Sequence, residues 1–148
     1  MKNRLITVTI CIFILFITAL PLEAMAADPR LENIGNTICR DSKTGLMWQI
    51  QKSKSFKNSK EAVEYSESLV LADYSDWRLP TVDERIALKN IFDLRRNGEC
   101  NLVRLNSSFW TVGTKQGTQP GRLESNDQCG SDYDFVIKKK GYVRTVRP

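Results

Sequence analysis

The sequence predicts an α+β domain whose two helices are segregated from an antiparallel sheet. Three observations support this prediction. Stretches typical of strands come as a pair early in the chain and recur in its last third, two helical patterns lie together between them, and no repeat or linker rich in Pro, Gly or Ser divides the sequence. The 148 residues therefore indicate one domain, preceded by an export signal.

The first two strands are predicted at residues 36–40 and 46–50. Both stretches combine apolar and polar side chains in the manner of half-buried strands. The five residues between them have the composition of a tight turn, and Gly45 can adopt the positive φ that ends such a turn. We therefore expect the two strands to form a hairpin.

Two helices are predicted next, each from an N-terminal capping pattern. Asn58 is followed three residues later by a glutamate, and apolar side chains recur behind it at three- and four-residue spacing, which predicts a helix over residues 59–71. Thr81 and Glu84 repeat the pattern and predict a second helix that ends near residue 94. A carboxylate in the first turn of a helix favours the helix dipole, so we interpret Glu84 as a capping residue and not as a catalytic acid.

Everything after residue 95 is predicted to consist of strands and loops. Strands are expected at residues 108–112, 133–137 and 142–146. The polar stretch 113–130 between the first two is predicted to be a long loop. Loops of that length in a compact domain are usually functional or disordered.

Residues 1–26 have the three parts of a cleavable secretory signal peptide. Lys2 and Arg4 form the positive start, an apolar run follows, and small residues precede a cleavage site after Ala26. An uncleaved membrane anchor is the alternative, but the apolar run of about 16 residues is shorter than the roughly 20 that span a bilayer. We expect residues 27–148 to be a periplasmic, secreted or cell-surface domain, without stable membrane insertion after signal cleavage.

Composition narrows the chemistry that this domain can perform. The chain contains no histidine, the commonest general base and metal ligand, so Ser-His and Cys-His nucleophiles are impossible. A Ser-Lys catalytic pair is an open alternative, although the sequence points to no particular serine and lysine. We predict no enzyme activity and no cofactor. After signal cleavage the chain has 20 basic and 16 acidic side chains, a net charge of +4, which with export argues against nucleic acid and suits acidic partners.

Three cysteines remain after signal cleavage, namely Cys39, Cys100 and Cys129. In an oxidising compartment two of them should be bridged. Cys100 and Cys129 flank a polar, glycine-containing stretch, and closing a loop of that size stabilises a fold by about 3 to 4 kcal/mol. We therefore predict a Cys100–Cys129 disulfide. Cys39 would then be free, buried as a small apolar residue, or available for an intermolecular bridge.

Four blocks of the sequence resemble a known family. They are residues 44–49 (TGLMWQ), 74–81 (YSDWRLPT), 109–111 (FWT) and 142–147 (YVRTVR). Over about residues 37–147 the chain is similar to the C-terminal domain of the collagen-like adhesin of Legionella, a family without assigned function in most members. The resemblance implies a fold like that of C-type lectins and the formylglycine-generating enzymes, with two helices on a small antiparallel sheet and paired chain ends. The adhesin itself binds sulfated glycosaminoglycans, but fold does not transfer function.

The resemblance also implies a contact between two positions. Members of the family often have cysteine where this chain has Ser66 and Thr145. Because both cysteines are absent together, we expect these two residues to face each other.

The basic side chains fall into three sequence clusters, which lie ahead of the first helix, after the second, and at the tip of the last predicted hairpin. A run of lysines at an exposed turn repels itself and contributes little to folding, so the third cluster is the strongest candidate for binding sulfates through charge-assisted hydrogen bonds. We predict an exported, non-enzymatic binding domain for anionic glycans or acidic surface polymers. The candidate ligand-binding residues are Lys138, Lys139, Lys140 and Arg144, with Lys54 and Lys57 as a second patch.

Three other interpretations were weighed against this one. The three tryptophans are predicted to build the core and not to stack on sugars. Oxygen ligands around Cys129 lack the spacing of a calcium loop, so no metal site is predicted there. The alternative function is a periplasmic structural protein that docks on a protein partner through Cys39 or residues 113–130. The oxygen ligands are Asn126, Asp127, Asp132 and Asp134, and the tryptophans are Trp48, Trp77 and Trp110.

Overall fold

The computed structural model describes residues 28–126 and 132–148. Within those ranges the chain is an α+β domain of two helices and two sheets, which confirms the predicted class. The predicted signal peptide, Asp127 and Cys129 lie outside the described residues. The helices are α1 (Ser59–Ser68) and α2 (Val82–Asp93). The strands are β1 (Leu31–Ile34), β2 (Ile38–Asp41), β3 (Met47–Gln49), β4 (Ser55–Phe56), β5 (Phe109–Thr114), β6 (Gly117–Ser125), β7 (Tyr133–Ile137), β8 (Gly141–Tyr142) and β9 (Val146–Arg147).

The first sheet has the strand order β1-β2-β3-β9, and all its pairs are antiparallel. The predicted hairpin is confirmed, because β2 pairs with β3 and Cys39 lies opposite Trp48. Strand β1 was not predicted, since its sequence LENI is short and half polar. Strands β1 and β9 occupy opposite edges of this sheet, so the chain ends share a sheet but do not pair with each other.

The second sheet has the order β4-β8-β5-β6-β7. Its pairs are antiparallel except for β5 and β8, which run parallel where Phe109 meets Tyr142. The prediction of a loop over residues 113–130 is wrong, because nine of those residues form β6, which pairs with β5 and β7. Proline inside a central strand normally argues against that assignment. Here the Pro120 carbonyl instead accepts a hydrogen bond from the Lys138 N–H at 2.8 Å.

Both helices begin where the capping patterns predict. The Asn58 side chain accepts a hydrogen bond from the Lys60 N–H at 2.8 Å, and α1 starts at the next residue. It ends three residues before the predicted end, because the backbone at Leu69 turns extended, with φ −70° and ψ 125°. At α2 the capping box between Thr81 and Glu84 is complete in both directions.

The apolar side chains form two cores. In the first, β2 and β3 pack with α2, whose Leu88 and Ile91 are buried there beside Trp48. In the second, α1 packs against the second sheet, around Trp110 and Val143. Trp77 is also buried and its indole N–H donates to the Tyr74 carbonyl at 3.0 Å. The three tryptophans are thus structural, as predicted.

The disulfide joins Cys39 to Cys100, 61 residues apart, so the predicted Cys100–Cys129 bridge is wrong. Cys39 faces the first core from β2, and the segment after α2 brings Cys100 against it. Because loop-closure entropy changes only slowly with loop length, spacing along the chain could not select between partners. Both bridged cysteines are buried, which also overturns the expectation of a free Cys39 available to another molecule.

None of the helices in the described parts of the chain is long and apolar enough to cross a bilayer. The disulfide is of the kind that persists in oxidising compartments.

Candidate functional site

An open groove of about 370 Å³ is lined by residues of β4, β6 and β8 in the second sheet and by the segments before β5 and after β7. Cations, hydroxyls and one amide line it, together with the ring of Tyr142. We call this surface the basic groove. Its lining residues are Ser55, Asn106, Ser107, Ser108, Arg122, Lys138, Lys140, Gly141 and Tyr142.

The backbone of the lysine run is held in place by neighbouring strands. The Lys138 N–H donates to the Pro120 carbonyl of β6 at 2.8 Å, and the Ser108 hydroxyl donates to the Lys140 carbonyl at 2.9 Å. At Gly141 the chain passes so close to these partners that an added Cβ would lie 2.9 Å from the Pro120 Cβ and 3.1 Å from the Ser108 carbonyl oxygen. Glycine at this position therefore lets the lysine run pack against the sheet.

Tyr142 contacts one cation from each of the other two basic clusters. The Lys52 ammonium lies 3.6 Å from the centre of its ring, within the range of a cation–π contact. The Arg104 guanidinium donates to the Tyr142 hydroxyl at 3.1 Å. Lys140 of the third cluster lines the same groove as Tyr142, so all three sequence clusters contribute a cation to this region.

Glu124 neutralises part of this charge. Its carboxylate lies 2.6 Å from the Arg122 guanidinium and 3.2 Å from the Lys138 ammonium. Hydrogen bonds from Arg122 and then from Lys138 hold the pKa of the Glu124 carboxyl below its ordinary value, so it stays ionised at neutral pH. Lys140, which also lines the groove, is exposed.

The structure places the predicted lysines around this groove to different degrees. Lys138 and Lys140 line it, whereas Lys139 is exposed between them and does not. Lys54 and Lys57 are exposed and flank β4, which pairs with β8. Lys57 follows Phe56, the β4 residue that pairs with Gly141. Because β4 and β8 are antiparallel, Lys57 and Lys140 lie at the same end of the strand pair.

Arg144 was predicted to be a surface residue, and that prediction is wrong. Only 3% of it is exposed, and its Nη2 donates to the Ile50 and Val103 carbonyls at 3.2 and 2.8 Å. The whole segment 143–146 is buried because it connects the two sheets and has neighbours on both faces. The in-and-out alternation of a surface hairpin therefore does not apply.

Sequence reasoning missed four residues at the site, because long-range strand pairing brings them there. Lys52 and Arg104 belong to two of the three basic clusters but were not among the candidate ligand-binding residues. The signal that could have found Tyr142 is its position two residues beyond the lysine run, where an aromatic ring can support cations. The four residues are Lys52, Arg104, Arg122 and Tyr142.

Within residues 28–126 and 132–148, no three His, Cys, Asp or Glu side chains lie close enough together to hold a metal ion. The described members of the oxygen-ligand cluster are exposed.

The family model of the Lcl C-terminal domain matches residues 37–147. This chain belongs to that family. The resemblance seen in the sequence is thus confirmed, and the Lcl C-terminal domain covers β2 to β9 and every lining residue of the basic groove. Strand β1 precedes the matched residues. No curated protein and no solved structure matches this chain.

The structure also locates Ser66 and Thr145, the two positions that the sequence resemblance predicted to face each other. Ser66 and Thr145 are both buried, at 1% and 0% exposure. The Thr145 hydroxyl donates to Gln49 Oε1 at 3.2 Å, and Gln49 Nε2 donates to the hydroxyl of Tyr65, the neighbour of Ser66. A polar chain through Gln49 therefore links α1 to the segment between β8 and β9. Direct contact of Ser66 with Thr145 stays a prediction.

Proposed function

We propose that this chain is an exported, non-enzymatic binding domain for anionic glycans or acidic surface polymers, and that the basic groove is its binding surface. The observation that carries the proposal is the convergence of cations from three sequence clusters at Tyr142 and the groove that it lines. A solvated surface gives no reason for residues as distant in sequence as Lys52 and Arg104 to meet the same side chain.

The groove offers the chemistry that a sulfated or carboxylated sugar polymer requires. Arg122 and Lys138 share Glu124, and an anionic group that joins or displaces this carboxylate would accept charge-assisted hydrogen bonds from them and from the exposed Lys140. Ser107 and Ser108 supply hydroxyls that can bond neutral sugar oxygens. Because the groove is open, its ion pairs stay hydrated, so binding should weaken as salt is added.

We further propose a C-type-lectin-like fold, of the kind shared with the formylglycine-generating enzymes, and a periplasmic or cell-surface location. The fold proposal is supported by a helix pair inserted between strands, with the first and last strands in one sheet. The location is supported by the predicted signal peptide at residues 1–26 and by the disulfide.

Docking on a protein partner was the alternative function, and the structure weakens both of its supports. Cys39 is bridged to Cys100 and buried. Of residues 113–130, most of the described part forms β5 and β6 inside the second sheet. We therefore do not propose this function.

Heparin chromatography of the mature chain tests the glycan proposal. The variant Lys138→Glu/Lys140→Glu reverses two cations of the groove. Its matched control, Arg40→Glu/Lys43→Glu, makes the same change in net charge at exposed residues of the first hairpin. We expect the groove variant to elute at clearly lower salt than the control. If the two variants elute together, retention reflects overall charge alone and the proposed binding surface is wrong.

A further inference from the structure

A small cavity in the first core contains two buried arginines. Arg85 of α2 is 7% exposed and Arg144 is 3% exposed. Their guanidinium carbons lie 5.2 and 5.0 Å from the ring centre of Phe109, which both contact. Apolar side chains make most of the remaining wall, and Lys89 contributes a third cation. The described residues that line this cavity include no carboxylate.

Backbone carbonyls satisfy only part of the hydrogen-bonding capacity of the two guanidinium groups. Arg85 Nη1 donates to the Gly121 carbonyl at 2.8 Å and to the Phe109 carbonyl at 3.4 Å. Arg144 donates from Nη2 alone, while its Nε and Nη1 are buried and have no partner in the described part of the chain. An unpaired buried donor on a charged group is costly, so a ligand that accepts from these atoms would be stabilised.

The charge of the pair is also uncompensated. Burial, and secondarily the charge of Arg144, lowers the pKa of Arg85 to about 9. Burial lowers the pKa of Arg144 to about 10. Both groups are still cationic at neutral pH, and Lys89 is engaged with Asp93 and with the Tyr133 hydroxyl outside the cavity lining. Burying two like charges without a counter-charge is costly, so an anion bound between them would stabilise the fold.

The size of the cavity limits what that counter-charge can be. It has room for about one particle the size of a water molecule. A chloride ion is somewhat larger than a water molecule but much smaller than a sulfate or a sugar carboxylate, so of these anions it comes nearest to fitting the cavity. Water could accept a hydrogen bond from Arg144, but it would not neutralise the charge.

We propose that the cavity between Arg85 and Arg144 binds a single monatomic anion of the size of chloride. The anion accepts hydrogen bonds from Nε and Nη1 of Arg144 and joins α2 to the buried segment between β8 and β9. The site is separate from the basic groove, and its role is to stabilise the fold.

Thermal unfolding in chloride tests the proposal. Chloride is titrated against gluconate at constant ionic strength, because gluconate is too large for the cavity. We expect the melting temperature to rise with chloride, and the folding equilibrium constant to grow about tenfold for each tenfold increase in chloride above its dissociation constant. Identical melting temperatures in chloride and in gluconate would overturn the proposal.

Two variants separate this site from the groove. Arg144→Met keeps most of the side-chain volume and removes the charge, so its melting temperature should no longer respond to chloride. Lys138→Glu/Lys140→Glu should respond as the wild type does, because those lysines line the groove and not the cavity. A response that disappears in the groove variant and persists in Arg144→Met would place the chloride effect on the surface and contradict the inference.

Crystals of the wild-type chain soaked in bromide give a second readout, which is needed if Arg144→Met fails to fold. Bromide has an anomalous signal that distinguishes it from water. We expect a peak within hydrogen-bonding distance of Arg144 Nε or Nη1. A cavity that shows no anomalous peak would exclude the anion.

Discussion

Arg78 and Glu84 form an ion pair with two hydrogen bonds, from Nη1 to Oε2 at 2.9 Å and from Nη2 to Oε1 at 2.7 Å. The same carboxylate accepts from the Thr81 N–H at 2.8 Å, so the ion pair and the capping box of α2 share one side chain. The backbone of Arg78 exchanges two hydrogen bonds of 3.0 Å with Val146 of β9. Glu84 thus ties the start of α2 to the last strand of the first sheet.

Replacing Glu84 with glutamine should lower stability at neutral pH and flatten its dependence on pH. Hydrogen bonds from Arg78 hold the pKa of the Glu84 carboxyl below its ordinary value of 4.5. A carboxyl whose pKa is lowered by folding contributes stability that is complete above the unfolded pKa and is lost as pH falls through the folded pKa. Between about pH 5 and pH 2, melting curves of the wild type should therefore fall more steeply than those of Glu84→Gln.

Glu61→Gln is the matched control for that experiment, because Glu61 occupies the same position in the first turn of α1 but is exposed. Its pH profile should follow the wild type. Parallel profiles for wild type and Glu84→Gln would mean that the ion pair with Arg78 does not contribute to stability in acid.

Removing the Cys39–Cys100 bridge should cost about 4 kcal/mol of unfolding free energy. The bridge closes a loop of 61 residues, and the loss follows from the entropy that the unfolded chain regains. Urea unfolding of Cys39→Ala/Cys100→Ala against the wild type measures it. As a control, Cys129→Ser should leave the linked peptide that contains Cys39 and Cys100 intact in a non-reducing tryptic digest. In the same digest of the wild type, a peptide linking Cys100 to Cys129 would contradict the structure.

Adding a methyl group at Gly121 should destabilise the second sheet by about 1 to 3 kcal/mol. A Cβ at this buried position of β6 would overlap the ring of Phe135 on β7, so the ring must move. Chemical denaturation of Gly121→Ala measures the loss. The double variant Gly121→Ala/Phe135→Leu should recover part of it by making room. If the second change brings no recovery, the contact with Phe135 is not the cause.

Tyr142 should influence heparin retention even though it carries no charge. Tyr142→Ala removes the ring beneath Lys52 and the hydroxyl that holds Arg104, so these cations are no longer placed at the groove. Tyr142→Phe keeps the ring and loses only the hydroxyl. We expect retention to decrease in the order wild type, Phe and Ala, with circular dichroism confirming that each variant is folded. Equal retention of all three would show that Tyr142 does not organise the site.

The sequence was sufficient for elements that local chemistry determines. The capping residues Asn58 and Thr81 located the starts of both helices, and turn composition located the β2–β3 hairpin. Strand β6 could not be predicted in the same way, because Gly117 and Pro120 are residues that usually interrupt strands. Pairing with β5 and β7 satisfies the backbone hydrogen bonds of β6 despite these two residues. That pairing depends on the whole fold and not on the local sequence.

The candidate site shows the same distinction between features set by local sequence and features set by long-range contacts. The lysine run was visible as a like-charged segment, but the contact of Lys52 with Tyr142 beyond that run depends on the pairing of β4 with β8 across most of the chain. Arg144 was assigned to the binding surface because it follows the lysine run at the predicted hairpin tip. Only the connection between the two sheets shows why it is enclosed, and only the path of the segment after α2 shows why Cys100 meets Cys39.

The short strands β8 and β9 close different sheets, β8 by joining β4 to β5 and β9 by completing the edge next to β3. Until β8 and β9 have been synthesised, neither sheet can complete its backbone hydrogen bonds. Synthesis of the chain from its N-terminus should consequently yield no stable partial structure, and folding should occur in one late step. Such a delay would keep the polypeptide unfolded until its synthesis is complete.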